Sequence, residues 1–166
     1  MGLKDWPEAG FPGIAMNPRT LQLEVVDEEA CAAALENSQD AADHVFVLLA
    51  RGLTNEAAEV AAEARLADPQ SLALQVLDAE VLRAKKHYDR AERVLKSLLP
   101  VVQATPLEPV VFRYLGNVQF SKGNYDASVK TFSAALEQQV ATGAGAEDIY
   151  SSTVSLQRAK DLAESN

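Results

Sequence analysis

PVVFRYLGNVQFSKGNYDASVKTFSAALEQQVA, residues 109–141, is the stretch that decides the fold of this chain. Apolar and small side chains recur in it at steps of three and four residues, the spacing that lines one face of an α-helix. They form two groups: Phe112, Leu115, Gly116 and Val118, then Tyr125, Val129, Phe132 and Ala135. Gly123-Asn124 lies between the groups, and both residues tolerate the left-handed conformation of a tight turn. The stretch therefore predicts a pair of helices packed against each other, with Gly116 and Ser128 letting the backbones approach closely.

This helix pair resembles the tetratricopeptide repeat, a 34-residue unit of two helices joined by a turn. The residues that carry the resemblance are Phe112, Leu115-Gly116, the run Gly123 to Asp126, Phe132 and Ala135-Leu136. Three positions depart from the family pattern: Gln119 in place of an aromatic, Ser128 in place of alanine and Val140 in place of a closing proline. These departures weaken the match at the edge of the family pattern, but the stretch is still recognisable as this repeat.

Two more units of the same pattern precede this one, and three extra residues after Pro100 lengthen the middle unit beyond 34 residues. Residues at the family's small and proline positions mark the first, namely Ala57, Ala61, Ala64 and Pro69, and Tyr88-Asp89-Arg90-Ala91 marks the second. We therefore expect repeats at about 38–71, 72–108 and 109–142, after a first helix at 27–36. The run Thr105-Pro106-Leu107-Glu108 reads as a capping box, so the first helix of the third unit is expected to start near Pro106.

A last helix is expected at about 147–163, where its polar residues would face outward and close the stack. Those residues are Ser151, Ser152, Gln157, Arg158 and Lys160. The resemblance then implies an all-α fold in which residues 27–166 form a right-handed superhelix of helix hairpins with a capping helix. Aromatic residues make up only 6% of the chain, which also favours helix over sheet.

Residues 1–26 are expected to be an irregular arm, because Pro7, Pro12-Gly13 and Pro18 interrupt regular structure. The arm is nevertheless apolar, with Trp6, Phe11, Ile14 and Met16. Two interpretations stay open at this point. Either the arm packs on the helical body, for which that body's own groove is one candidate place, or it is a loosely ordered leader.

Charge and composition exclude several classes of function. The net charge is −9, and residues 1–71 carry all of it, so nucleic acid and anionic membranes are not expected as partners. No apolar run approaches the roughly 20 residues that span a bilayer, and the N-terminus lacks the pattern of a signal peptide. The single cysteine, Cys31, lies in an alanine-rich run and is expected to be a packed side chain. These features favour a cytoplasmic protein.

The sequence contains no recognisable set of catalytic residues. His44 is expected to be a hydrogen-bonded core residue and His87 a solvated turn residue, and neither has metal-ligand spacing to Cys31. Phosphate-binding loops and nucleophile motifs are absent from the sequence. We therefore expect that the protein is not an enzyme and that it binds neither a cofactor nor a metal ion.

The expected function is then the binding of a partner protein on the surface of the helix stack. The residues that would bind it lie on the first helix of each repeat and point away from the packing face of that helix. The candidate partner-binding residues are Phe46, Leu49, Val76, Glu80, Arg83, Arg113, Asn117 and Phe120. Arg113 and Asn117 are four residues apart on one helix and could together hold a carboxylate or a peptide backbone. For Phe46 and Phe120, packing against neighbouring helices or the N-terminal arm remains an open alternative.

The sequence thus predicts an adaptor that binds a peptide or helix of a partner protein in the concave groove of the superhelix. Two alternatives stay open. One is a small secretion-type chaperone for exported substrates, and the other is a structural protein that assembles through the alanine-rich faces around Ala57 to Ala64. The protein is expected to be a monomer or a weak homo-oligomer.

Overall fold

Most of the chain is α-helical in the computed structural model, which describes residues 2–165, and the predicted all-α class is confirmed. The helices are α1 Glu28–Glu36, α2 Ala41–Ala50, α3 Thr54–Ala67, α4 Leu72–Ala84, α5 Tyr88–Val102, α6 Glu108–Ser121, α7 Tyr125–Thr142 and α8 Ala146–Glu164. A 3-10 turn at Leu3–Asp5 and two strands, β1 Ile14–Met16 and β2 Leu23–Val25, precede them. The described residues form two compact units, divided between Lys85 and Lys86. That boundary falls between α4 and α5, inside the expected repeat at 72–108.

The N-terminal segment forms a β-hairpin, so the prediction of an irregular arm was wrong. Strand β1 pairs antiparallel with β2, with Ile14 opposite Val25. The prolines do not interrupt the pairing, because Pro12 and Pro18 stand just outside β1 and Pro7 only accepts a hydrogen bond, from the Met16 amide at 2.9 Å.

The apolar side chains of this hairpin are the reason that it is ordered. Ile14 is buried in a cluster with Cys31 of α1 and Val47 of α2, and Phe11 and Val25 pack on that cluster. The packing interpretation is confirmed over the loose leader. Cys31 is fully buried, as predicted.

The helices of the first unit pack through small residues. Val45 of α2, Ala57 and Ala61 of α3, and Leu77 and Val81 of α4 share one buried cluster. Helix α2 starts at Ala41, three residues after the expected start of the first repeat at about 38, because Asp40 caps it by accepting from the Ala42 amide at 2.9 Å.

In the second unit, α6 and α7 form the helix pair that residues 109–141 predict. Phe132 is fully buried against Gly116, and the Ser128 hydroxyl donates to the Gly116 carbonyl at 3.1 Å. Asn124 caps α7 by accepting from the Ala127 amide at 3.3 Å. The small residues at the contact therefore act as predicted.

Two details of the second unit differ from the prediction. Helix α6 starts at Glu108 rather than Pro106, because Thr105 and Glu108 instead close a turn in which the Glu108 carboxylate accepts from the Ala104 amide at 2.9 Å. Ser151 and Ser152 are buried rather than facing outward. A serine is small enough to pack like alanine. The Ser151 hydroxyl accepts from the Arg113 Nη2 at 2.6 Å, whereas the Ser152 hydroxyl is buried with no partner in residues 2–165. Gln157 and Lys160 are exposed, as expected.

Candidate functional site

A cleft of about 700 Å³ opens in the second unit where α6 begins, α7 ends and α8 begins. Its volume lies within the roughly 300–1,000 Å³ of ligand sites in proteins. We call it the α6–α8 cleft. It is lined by Ala104, Thr105, Pro106, Glu108, Pro109, Val110, Arg113, Gln138, Gln139, Ala141, Thr142, Ala144 and Asp148.

Local turn chemistry places these three helix ends together. The Thr105 hydroxyl donates to the Val102 carbonyl at 2.6 Å and so turns the chain into α6. At the other side, Gly143 adopts the left-handed conformation with φ of +70°, and the Ala144 amide donates to the Gln139 carbonyl at 2.8 Å. This ends α7 and allows α8 to start at Ala146.

Arg113 is the one basic residue among those that line the cleft. Its Nη2 donates to the Ser151 hydroxyl at 2.6 Å, while its Nη1 lies 4.0 Å from the Asp148 carboxylate, beyond hydrogen-bond distance. The side chain is 24% exposed, and burial lowers the pKa of the Arg113 guanidinium. A guanidinium has five N–H donors, so several of those on Arg113 stay available to a ligand.

Two consecutive glutamines at the end of α7 supply acceptors. The Gln138 Nε2 donates to the Glu108 carboxylate, which leaves the Gln138 Oε1 buried without a hydrogen-bond partner in residues 2–165. Gln139 is only 3% exposed, and its Oε1 is also buried with no partner among the described residues. Because an unpaired buried acceptor costs roughly 1–3 kcal/mol, two of them side by side are unusual in a stable helix pair.

The predicted residues of α6 fall in different surroundings. Arg113 lines the cleft, whereas Asn117, one turn further along α6, is not among the lining residues. The Asn117 Oδ1 is buried and has no partner within the described part of the chain. Phe120 is buried edge-to-face on Tyr125 of α7, with ring centroids 5.3 Å apart, so packing against a neighbouring helix is the alternative that holds for it.

The five predicted residues of the first unit lie on α2 and α4. Phe46 and Leu49 are half-buried on the Val45 cluster, and Phe46 also packs on the cluster that contains Ile14. Val76 and Glu80 are each 4% exposed, and the Glu80 carboxylate pairs with Arg83. The predicted placement of Val76 and Glu80 on an open helix face was therefore wrong, since buried residues offer a partner almost no surface.

Four residues of the cleft were not predicted from the sequence: Glu108, Gln138, Gln139 and Asp148. A signal for Gln139 was present. It lies four residues after Ala135 and seven after Phe132, which puts a polar amide on the apolar stripe of α7. Glu108, Gln138 and Asp148 could be identified only from the structure, which brings the ends of three helices together.

Within residues 2–165, no group of three or more His, Cys, Asp or Glu side chains is arranged to hold a metal ion. No described helix combines the length and apolar character needed to cross a membrane. The His44 Nε2 lies 3.4 Å from the Ser38 carbonyl, but the side chain is half-buried and is not in the core as predicted.

No protein-family model, curated protein or solved structure matches this chain. The resemblance to the tetratricopeptide repeat therefore rests on the residues and helix contacts given above.

Proposed function

We propose that this protein is an adaptor of the tetratricopeptide type that binds a segment of a partner protein. The observation that carries the proposal is the α6–α8 cleft. Its largely apolar lining includes the half-buried Arg113 guanidinium and two glutamines whose buried Oε1 atoms have no partner within residues 2–165. Unused polar groups on an apolar surface are the usual composition of a ligand site.

The repeat architecture is part of the same proposal. Helices α2 and α3 pack together in the first unit, and α6 and α7 do so in the second. Each pair has the order of the family's hairpin, and Gly116 with Phe132 supplies the close contact that the family pattern requires. We propose these pairs as repeats of a right-handed superhelix closed by α8.

A protein partner is favoured over a nucleic acid or an anionic membrane, since the chain has a net charge of −9 and would be repelled by phosphate groups. The lining of the cleft supports binding rather than catalysis, because it offers no nucleophile paired with a base. We therefore propose that the protein is not an enzyme.

Affinity capture with mass spectrometry tests the proposal. The full chain, Arg113→Glu and Arg93→Glu are used as baits in lysate of the cells that produce the protein. Arg93 is exposed on α5 and does not line the cleft, so it matches the charge reversal without touching the site. We expect one partner to be retained by the wild type and by Arg93→Glu and lost with Arg113→Glu, at an unchanged far-ultraviolet circular dichroism spectrum. Equal capture by all three baits would remove the cleft from the function.

Light scattering over a concentration series separates the adaptor from an assembly protein. An adaptor keeps the monomer mass of 17.9 kDa at each concentration. A mass that rises with concentration would favour the assembly alternative.

A further inference from the structure

The unused hydrogen-bonding groups of the α6–α8 cleft are of both kinds. Arg113 offers donors, because its guanidinium makes one hydrogen bond in the described residues, to Ser151. The Oε1 atoms of Gln138 and Gln139 are buried acceptors with no partner there, and a turn of either side chain toward the cleft would present its oxygen to a ligand. A ligand that satisfies both must carry an acceptor and a donor close together.

The charges of the cleft nearly balance. Glu108 and Asp148 are negative and Arg113 is positive, and both carboxylates lie in the first turns of helices, where the helix dipole contributes positive charge. A ligand carboxylate at Arg113 would approach Asp148, which is 4.0 Å from that guanidinium. A ligand ammonium would approach Arg113 itself. The balance therefore favours an uncharged ligand.

We infer that the α6–α8 cleft binds the main chain of a short, uncharged and extended segment of the partner, through Arg113 to a carbonyl oxygen and through Gln139 to an amide N–H. The inference rests on the proposed function and narrows it. A helical segment would not serve, because its carbonyl and amide groups already bond to each other. An extended segment leaves both groups free.

The apolar lining indicates the side chains of such a segment. Pro106, Pro109, Val110 and Ala141 contribute apolar surface to the cleft. Small apolar side chains would therefore be buried beside the hydrogen-bonded main chain.

The test is a titration of the whole 166-residue chain, followed through the side-chain N–H signals of Arg113, Gln138 and Gln139 by nuclear magnetic resonance. The main probe is the end-blocked tripeptide acetyl-Val-Ala-Val-amide. Three comparison probes are its N-methylated analogue, the same peptide with a free carboxylate, and n-butylammonium. We expect saturable shifts with the end-blocked peptide and about tenfold weaker binding after N-methylation at the bonded amide.

Matched variants tie the shifts to the cleft. Gln139→Leu is expected to abolish them, and Gln157→Leu, on the exposed face of α8, to leave them unchanged. If Gln139→Leu fails to fold, Arg113→Gln replaces it and is expected to weaken binding of the end-blocked peptide in the same way. Retained binding in the folded variant would overturn the inference.

Other results are equally decisive. Tighter binding of the free carboxylate or of n-butylammonium, or no saturable shift with any probe, would overturn the inference. If the partner is still captured in an Arg113-dependent manner, only the inference fails and the proposed function stands. If capture is absent as well, both fail.

Discussion

The ring of Phe132 occupies the space that a side chain at Gly116 would need, since a β-carbon built on Gly116 would lie 2.5 Å from the Phe132 Cε1. The Ser128 hydroxyl bonds to the carbonyl of the same glycine at 3.1 Å. Glycine, serine and phenylalanine thus define the distance between α6 and α7. The α6–α8 cleft lies at one end of this helix pair, so its geometry depends on that contact.

Gly116→Leu tests the contact directly. Overpacking should move Phe132 or separate the helices, and we expect the free energy of unfolding to fall by about 1–3 kcal/mol. Thermal and urea denaturation followed by circular dichroism measure it. Gly145→Ala is the control, because a β-carbon there meets nothing within 4 Å and its φ of −60° suits alanine. Equal stability of Gly116→Leu and wild type would contradict the contact.

Gln139→Leu should stabilise the protein. Its buried Oε1 has no partner in the described residues, so an apolar side chain of similar size removes a desolvation cost of about 1 kcal/mol. Gln119→Leu is a matched control, because Gln119 is also buried but accepts from the Thr131 hydroxyl at 2.6 Å. We expect the midpoint of urea denaturation to rise for the first variant and fall for the second. A fall for both would mean that the Gln139 amide is satisfied in solution.

Asp78 should make stability depend on pH. Burial raises its pKa to about 6, despite the carboxylate lying 2.8 Å from the Arg65 Nε. Since the folded pKa lies above the ordinary value of 3.8, the contribution of Asp78 to stability is full below about pH 4 and is lost as the pH rises through 6.

Asp78→Asn removes this titration. We expect the variant to be more stable than the wild type at pH 7, by about 1–3 kcal/mol, and the difference to shrink toward pH 4. Urea denaturation of both proteins at pH 4, 5, 6 and 7 measures the difference, in which other titrating groups cancel. A gap that is constant over this range would refute the assignment.

Cys31 reports on the N-terminal hairpin. It is fully buried, and burial raises the pKa of its thiol, so reaction with an aromatic disulfide reagent should be slow in the folded protein. Ile14→Ala opens the same cluster and should cost about 2–4 kcal/mol while speeding the reaction. Leu66→Ala is the control, because Leu66 is 86% exposed. If the thiol reacts equally fast in wild type and Ile14→Ala, the hairpin does not cover it.

Features that depend on residues close together in the sequence were predicted correctly, whereas features that depend on contacts between distant residues were not. The helix pair at 109–141 could be predicted because its spacing, turn and small contact residues all lie within one continuous stretch. The hairpin of residues 14–25 could not, because its strands are three residues long and depend on contacts with Cys31 and Val47. Ser151 and Ser152 were misplaced because serine is polar by composition but small enough to be buried once a helix packs on it.

The amino-acid sequence by itself determined the helices, the turn at Gly123-Asn124 and the close approach at Gly116, because periodicity and backbone freedom act over a few residues. It also singled out Arg113. Only the tertiary structure decided which polar groups surround that guanidinium, since Glu108, Gln138 and Asp148 come from the ends of three different helices. Whether an amide oxygen such as that of Gln139 finds a partner depends on what the fold places within about 3 Å of it, which local spacing does not encode.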